Sequence, residues 1–448
     1  MSVGVQRLRE DPDRIRQGAI DKGEDPSIVD AALAADARRR DLQGEGDGLR
    51  SERNEVSKQV GEAIKGGAAP SGPEVAALRA RSTEIGARLT ALDADLAASE
   101  TELEELLLRI PNPADPDVPV GGEDANVTVR TWGELLPRVM PLGGEVGADA
   151  PQGGATWERR AHWEIGETLG LIDLARGAKI AGSGFPVYKG FGSTLQRALI
   201  QWFLDVHSRE NGFIEIWPPV VVNEASARGT GNIPDKEDQM YVVTRDGLYL
   251  VPTAEIPVTN LHRDEIFEAT DLPIRYAAYS PCFRREAGAA GKDTRGILRV
   301  HQFDKVEMVL FERPEASAEA LEWMTGRAED LIQRLGLAYR VLLMSTREMG
   351  FVQAKKYDLE VWAPGVERWL EVSSCSNFRD YQARRMAIRW RPEPGSKPEL
   401  LHTLNGSGLA LARIVAAILE TYQRPDGGLD VPEVLRPYVG RDVVPPPA

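Results

Sequence analysis

The densest run of reactive side chains lies between Ser280 and Glu307. It opens Ser280-Pro281-Cys282-Phe283-Arg284-Arg285-Glu286 and passes through a glycine-bearing stretch. It returns through Arg299-Val300-His301-Gln302-Phe303-Asp304-Lys305-Val306-Glu307. The pattern predicts two strands around a loop. Alternation then puts Phe283 and Arg285 on one face, and Arg284 and Glu286 on the other. Arg284, Arg285, Lys292, Arg295, Arg299 and Lys305 concentrate positive charge in an acidic chain. Arginine's planar fork matches phosphate oxygens. A salt-bridged surface hairpin would use the same residues, and their types alone do not choose.

Three other segments carry candidate chemistry. Glu371 and Ser374, near a predicted strand, are hard oxygen donors of the kind that hold magnesium on nucleotide phosphates. A polar strand end bonded to backbone is the commoner use of such residues. Cys375 has no indicated histidine partner and reads as a buried structural thiol. Gly406 and Gly408 precede an apolar helix predicted over 408–423, with Arg413 about one and a half turns in. Thr253 and Glu255 share a side if the chain there is extended. Such a pair can hold an ammonium group, or it can cap a turn.

Composition narrows the classes. The chain has 448 residues, with 54 lysines and arginines against 69 aspartates and glutamates, a net charge of −15. That excludes a broadly basic nucleic-acid coat but not a local basic stripe. Two cysteines and five histidines without ligand spacing predict no structural zinc. The N-terminus has no apolar signal region, and no apolar run reaches the length of a membrane span. The expectation is a cytoplasmic protein with no membrane partner.

Two kinds of element must position these residues. Over 27–65 the pattern is helical, with Ile28, Ala35, Leu42, Leu49 and Val56 at seven-residue intervals. A turn follows at Gly66 to Pro73. Val75, Leu78, Ser82, Ile85, Leu89, Leu92, Leu96, Ser99, Leu103 and Leu106 then form a heptad seam that stops at Pro111-Asn112-Pro113. This predicts an antiparallel coiled-coil hairpin over 1–112, reaching roughly 50 Å. Gly44, Gly46 and Gly48 make a soft spot, at about 1 kcal/mol each. A dimerisation or spacer element would show the same periodicity. From 113 to 448 the chain reads as an α+β domain. Helices are predicted over 194–211 and 408–423, and strands at Gly212 to Trp217, Tyr339 to Leu343 and Tyr357 to Trp362. Consecutive strands between Asp271 and Phe311 point to a largely antiparallel sheet flanked by helices. Met140 to Gly154 reads as a loop. Neither G-x-G-x-x-G nor G-x-x-x-x-G-K-[ST] occurs at a strand-to-helix turn.

In order along the chain, these segments resemble the bacterial type of seryl-tRNA synthetase, a class II aminoacyl-tRNA synthetase. Gly212 to Pro219, Phe283-Arg284-Arg285-Glu286 through Glu307, and Gly406-Ser407-Gly408 through Arg413 resemble the three class II motifs. Thr253-Ala254-Glu255, Glu371 to Asn377 and His402 to Ser407 resemble the seryl branch. The resemblance implies a homodimer joined through the first motif. It implies that Arg284 and Arg413 are catalytic. ATP would lie on Arg284, Arg285, Glu286, Val300, Phe303, Glu371, Val372, Ser373, Ser374 and Arg413. Serine would lie on Thr253, Ala254, Glu255, Arg284, Glu307, Asn405 and Ser407, and Mg2+ on Glu371 and Ser374. The arm would bind tRNA(Ser), and tRNA(Sec) where an organism has one. Arg38, Arg39, Arg40, Arg50, Arg53, Lys58 and Lys65 are its candidate phosphate contacts. Arg347, Glu348 and Ala412 depart from the family's usual residues and are expected to bear on helix packing. Two other classes share parts of the pattern: an RNA-binding relative that has lost catalysis, and a ligase that loads carrier proteins. Ligases of that kind typically lack the arm.

Overall fold

The computed structural model describes residues 4–141, 156–287 and 295–447. The loop expected at Met140 to Gly154 therefore falls mostly outside the described residues, as does Lys292. The chain divides into two compact units, Met1–Pro111 and Asn112–Ala448.

The first unit holds four helices among its described residues: α1 (Val5–Glu10), α2 (Pro12–Lys22), α3 (Ser27–Lys65) and α4 (Pro73–Leu108). The seven-residue periodicity finds α3 and α4 but misses α1 and α2, which are too short to show it. Helix α2 starts at a proline and is capped by Asp11, whose side chain accepts from the Arg14 N–H. Two apolar clusters hold the hairpin. Leu8, Ile15, Val29, Ala32, Leu103 and Leu107 form one. Leu49, Val56, Ile85, Leu89 and Leu92 form the other. Asp36 is fully buried and takes a fork from Arg9 at 2.6 and 2.7 Å, with Arg39 and Arg40 at 3.2 Å. The Arg9 bonds hold its carboxyl below the usual aspartate value.

The three glycines do not break α3. A Cβ built on Gly46 would lie 3.1 Å from Leu92 Cδ2, so the facing helix packs directly onto its backbone. Gly44 and Gly48 are exposed, with nothing within 4 Å of an added Cβ. Gly44→Ala with Gly48→Ala should therefore stabilise the arm by about 1–2 kcal/mol. Gly46→Ala should give less, because Leu92 must shift. Amide exchange across 42–50 of the full chain checks this: slower exchange in the double variant is expected, and unchanged or faster exchange would contradict it.

In the second unit, eight described strands form one sheet. They are β1 (Val127–Trp132), β2 (Ile214–Ile216), β3 (Ile274–Phe283), β4 (Gln302–Glu312), β5 (Tyr339–Leu343), β6 (Lys355–Ala363), β7 (Arg368–Arg379) and β8 (His402–Ala410). The order is β1-β5-β6-β7-β8-β4-β3-β2. Every pairing is antiparallel except the parallel contact of β2 with β3. The domain is α+β, as its strand order predicts. Helices α5 (Phe191–Asp205), α6 (Ser317–Arg334) and α7 (Leu411–Tyr422) supply apolar residues to the main core.

The period of two along a strand makes the sheet two-faced. In β4, Val306, Met308 and Leu310 enter the main core. Val309 and Phe311 enter a second cluster with Ala254, Val258 and Met386. Lys305 and Glu307 continue that second face toward the start of the strand, where charged residues replace apolar ones.

One expectation is corrected. Residues 408–410 belong to β8, and the helix begins at Leu411. Arg413 is thus in the first turn of α7, not one and a half turns in. The glycines of β8 admit the protein's own side chains. A Cβ on Gly408 would lie 2.3 Å from His207 Nε2, and one on Gly406 2.8 Å from Cys375 Sγ. Helix α7 is anchored at its other end by the buried Glu420. That carboxylate accepts from the backbone N–H of His162, Gly365 and Val366 at 2.8 to 3.1 Å. Among the described residues no helix is long and apolar enough to cross a membrane.

Candidate active site

A cavity of about 450 Å³ opens over the second face of the sheet. At one end it is built from β4, β8 and the segment before the short helix Glu255–Thr259. Register sets Ser407 beside Glu307, and Asn405 beside Val309. Thr253 Oγ1 accepts from the Glu255 N–H at 3.2 Å and from Lys305 Nζ at 2.9 Å. Thr253 is therefore both a turn cap and a pocket residue. Lys305 also pairs with Glu307, and both are buried. Gln382 Nε2 donates to Glu255 Oε1 at 2.6 Å. Burial, reinforced by the charge of Glu307, pushes the Glu255 carboxyl up to about 7.

The other end is cationic. Arg284 follows β3, and its guanidinium sits 5.1 Å over the Phe303 ring. Arg413 is fixed by two carbonyls: Nε donates to Leu298 O at 3.1 Å, and Nη1 to Glu371 O at 2.7 Å. Its Nη1 also lies 3.5 Å from Glu371 Oε2. Burial alone would raise the Glu371 carboxyl. The charges of Arg413, Lys356 and Arg284 outweigh burial and hold it below its ordinary value. Across the β6–β7 register, Ser374 faces Asp358. Glu286 pairs with Arg299 at 2.6 Å.

Thr253, Glu255, Arg284, Glu286, Val300, Phe303, Glu307, Glu371, Val372, Ser373, Ser374, Asn405, Ser407 and Arg413 all line this one cavity. Two expected residues do not. Arg285 turns away, with its Nη1 donating to Asp238 O at 3.1 Å and its N–H to Gln239 O at 2.8 Å. Ala254 is fully buried in the second cluster. Cys375 is buried, which pushes its thiol up to about 12.

Arg299 and Lys305, from the basic cluster between Ser280 and Glu307, line the cavity too, whereas sequence reasoning missed Lys236, Glu348 and Lys356 as cavity residues. Lys305 lies two residues before Glu307 on one strand face. Lys236, Glu348 and Lys356 come from distant segments with no local signal. Glu348 also corrects an expectation: Thr346 to Glu348 form a turn at the cavity, not a packed helix. Ala412 lines the cavity as well.

Comparison with known proteins matches residues 4–114 to the seryl-tRNA synthetase N-terminal domain. Residues 241–422 match the class II tRNA synthetase core domain that serves the G, H, P, S and T enzymes. The serine–tRNA ligase of Thermomicrobium roseum is 50% identical over 98% of this chain and 93% of its own length. The chain belongs to the seryl-tRNA synthetase family. Family membership makes it an aminoacyl-tRNA ligase with a class II core. The seryl-tRNA synthetase of Pyrococcus horikoshii, solved in complex with ATP, is similar with a TM-score of 0.89 and 37% identity, covering 99% of this chain and 100% of that one. The cytoplasmic serine–tRNA ligase of Naegleria fowleri, solved with AMP, is similar with a TM-score of 0.85 and 30% identity, covering 100% of this chain and 99% of that one.

Proposed function

We propose that the cavity activates L-serine with ATP and that the enzyme then transfers serine to the 3′ end of tRNA(Ser). The carrying observation is that one cavity sets buried carboxylates beside a cationic, oxygen-rich end. Thr253, Glu255 and Glu307 hold the serine ammonium, and Ser407 and Asn405 face its small side chain. Arg284 holds the carboxylate against the α-phosphate. Phe303 and Val300 flank the adenine, Glu286 meets its edge, and Arg413 takes the γ-phosphate. The serine carboxylate is already the nucleophile. Its oxygen bonds to the α-phosphorus, the bond to the β-phosphate oxygen breaks, and pyrophosphate leaves. No general base is needed, so positioning and charge neutralisation carry the step. The tRNA ribose hydroxyl then attacks the seryl carbonyl, and AMP departs.

Glu371 and Ser374 fit Mg2+. Both are hard oxygen donors on one strand that line the same cavity, and the buried carboxylate of Asp358 pairs with Ser374 across the β6–β7 register. When bound, the ion neutralises phosphate charge. Homodimerisation is supported by the edge strand β2, where Ile214 is 59% exposed, and by Trp217 just after it, which is 74% exposed. The arm is the tRNA-binding element, and the cytoplasm is the place of action. Arg38, Arg39, Arg40 and Arg50 are engaged in ion pairs within the arm. Among the described residues Arg53 and Lys65 carry none, which makes them the foremost phosphate contacts.

The serine subsite predicts a pH dependence. The ammonium is held by ionised Glu255, and this carboxyl titrates at about 7. Protonation weakens the site, so KM for serine should rise as pH falls below that value, by up to about tenfold per unit. KM for ATP should stay nearly level. Pyrophosphate exchange between pH 5.5 and 8.5 checks this, and a flat serine profile would contradict the assignment of Glu255.

A further inference from the structure

We propose that Lys305 is a positioning residue that sets the charge state of the serine subsite. The inference rests on the placement of serine given above and goes beyond it, because Lys305 touches the subsite residues rather than the reacting atoms.

Lys305 is 5% exposed, on the same strand face as Glu307. Its ammonium contacts Glu307 and donates to Thr253 Oγ1 at 2.9 Å. Those two residues and Glu255 are the ones assigned to the substrate ammonium. Glu255 and Glu307 are buried carboxylates, and the charge of Glu307 raises the Glu255 carboxyl. Two such groups in a dry site resist ionising together. Around Glu255 the charged groups are Glu307, Lys305 and Lys236, with the neutral Gln382 amide bonded to it. Near Lys305 and Glu307 lies the Cys282 thiol, itself raised by burial, with Arg284 in its field. Lys305 is therefore the buried cation in direct contact with Glu307, and its charge also reaches Glu255. It sits against Glu307 and opposes the upward shift of Glu255.

Removing that charge should leave the two carboxylates sharing a proton at neutral pH. A protonated carboxyl is a poor partner for an ammonium. The substrate would then have to displace a proton before binding.

The test is steady-state serine-dependent pyrophosphate exchange by full-length Lys305→Met, with Lys305→Gln as a second neutral variant and Lys305→Arg as the charge-retaining one. KM for serine in both neutral variants should rise at least about tenfold at pH 7, the effect of a one-unit shift. It should recover as the pH approaches 9. KM for ATP should move less than about twofold, against that tenfold scale. Lys305→Arg should keep the wild-type pH profile. An unchanged serine KM in a folded neutral variant would overturn the inference. So would a rise that is the same at every pH or shared by ATP, since that marks a merely structural role. Absence of serine-dependent exchange in the unaltered chain would instead overturn the functional reading on which the inference rests.

Discussion

Arg284→Ala should lower serine-dependent pyrophosphate exchange by about a thousandfold, the scale of losing a donor aimed at developing charge. The reason is its position. Arg284 lies where the cationic end of the cavity meets the serine subsite, stacked on Phe303. In the proposed placement it touches both the serine carboxylate and the α-phosphate. Its loss should fall mainly on kcat, because both reactants keep their other contacts. Arg284→Lys should recover only part, since an ammonium cannot fork to two oxygens. Thermal unfolding of both variants should stay near that of the unaltered chain, because the side chain faces the cavity rather than the core. Exchange above about a tenth of wild type in Arg284→Ala would remove this residue from the reaction, given the size expected of such a donor.

Shortening the arm separates the two half-reactions. The pair Arg50–Asp93 and the packing of Leu92 on Gly46 give the register between α3 and α4. Replacing residues 51–87 by a short Gly/Ser turn cuts both helices near that level. It leaves the cluster of Leu8, Val29, Leu103 and Leu107 intact. Pyrophosphate exchange should be unaffected, because every cavity residue lies in the second unit. Transfer of serine to tRNA should fall by about a hundredfold or more. Arg53, Lys58 and Lys65 go with the deleted part, and affinity for a phosphate backbone drops with every cation removed from it. Equal loss of both activities would contradict a division of labour between the units. Undiminished transfer would show that tRNA binds elsewhere.

The legible parts of the chain are those with a strong local period. Helices α3 and α4 follow from their heptad columns, and β5 from a five-residue run of Tyr339 to Leu343. Boundaries near glycine are harder. Gly408 reads as the start of a helix, yet β8 runs through Gly406-Ser407-Gly408, with His207 and Cys375 in the space that side chains would occupy. The site is legible where chemistry and spacing coincide, as at Arg284 with Glu286 or Thr253 with Glu255. It is illegible where long-range folding supplies a residue. Nothing near Lys236 or Lys356 tells that both reach the cavity that Arg413 lines. Arg285 shows the converse: the resemblance implies a place on ATP, whereas alternation sets it on the face opposite Arg284, and its guanidinium donates to the Asp238 carbonyl.

The most direct test is exchange of labelled pyrophosphate into ATP by the unaltered chain with Mg2+, comparing serine with alanine and threonine. The site is built around hydroxyl and ammonium partners, so alanine should leave buried polar groups unpaired and threonine should clash by its extra methyl. Strong exchange with serine and at most about a hundredth of it with either analogue is the predicted result. Exchange that is absent with serine, or equal with alanine, would contradict the assignment of this cavity to serine activation.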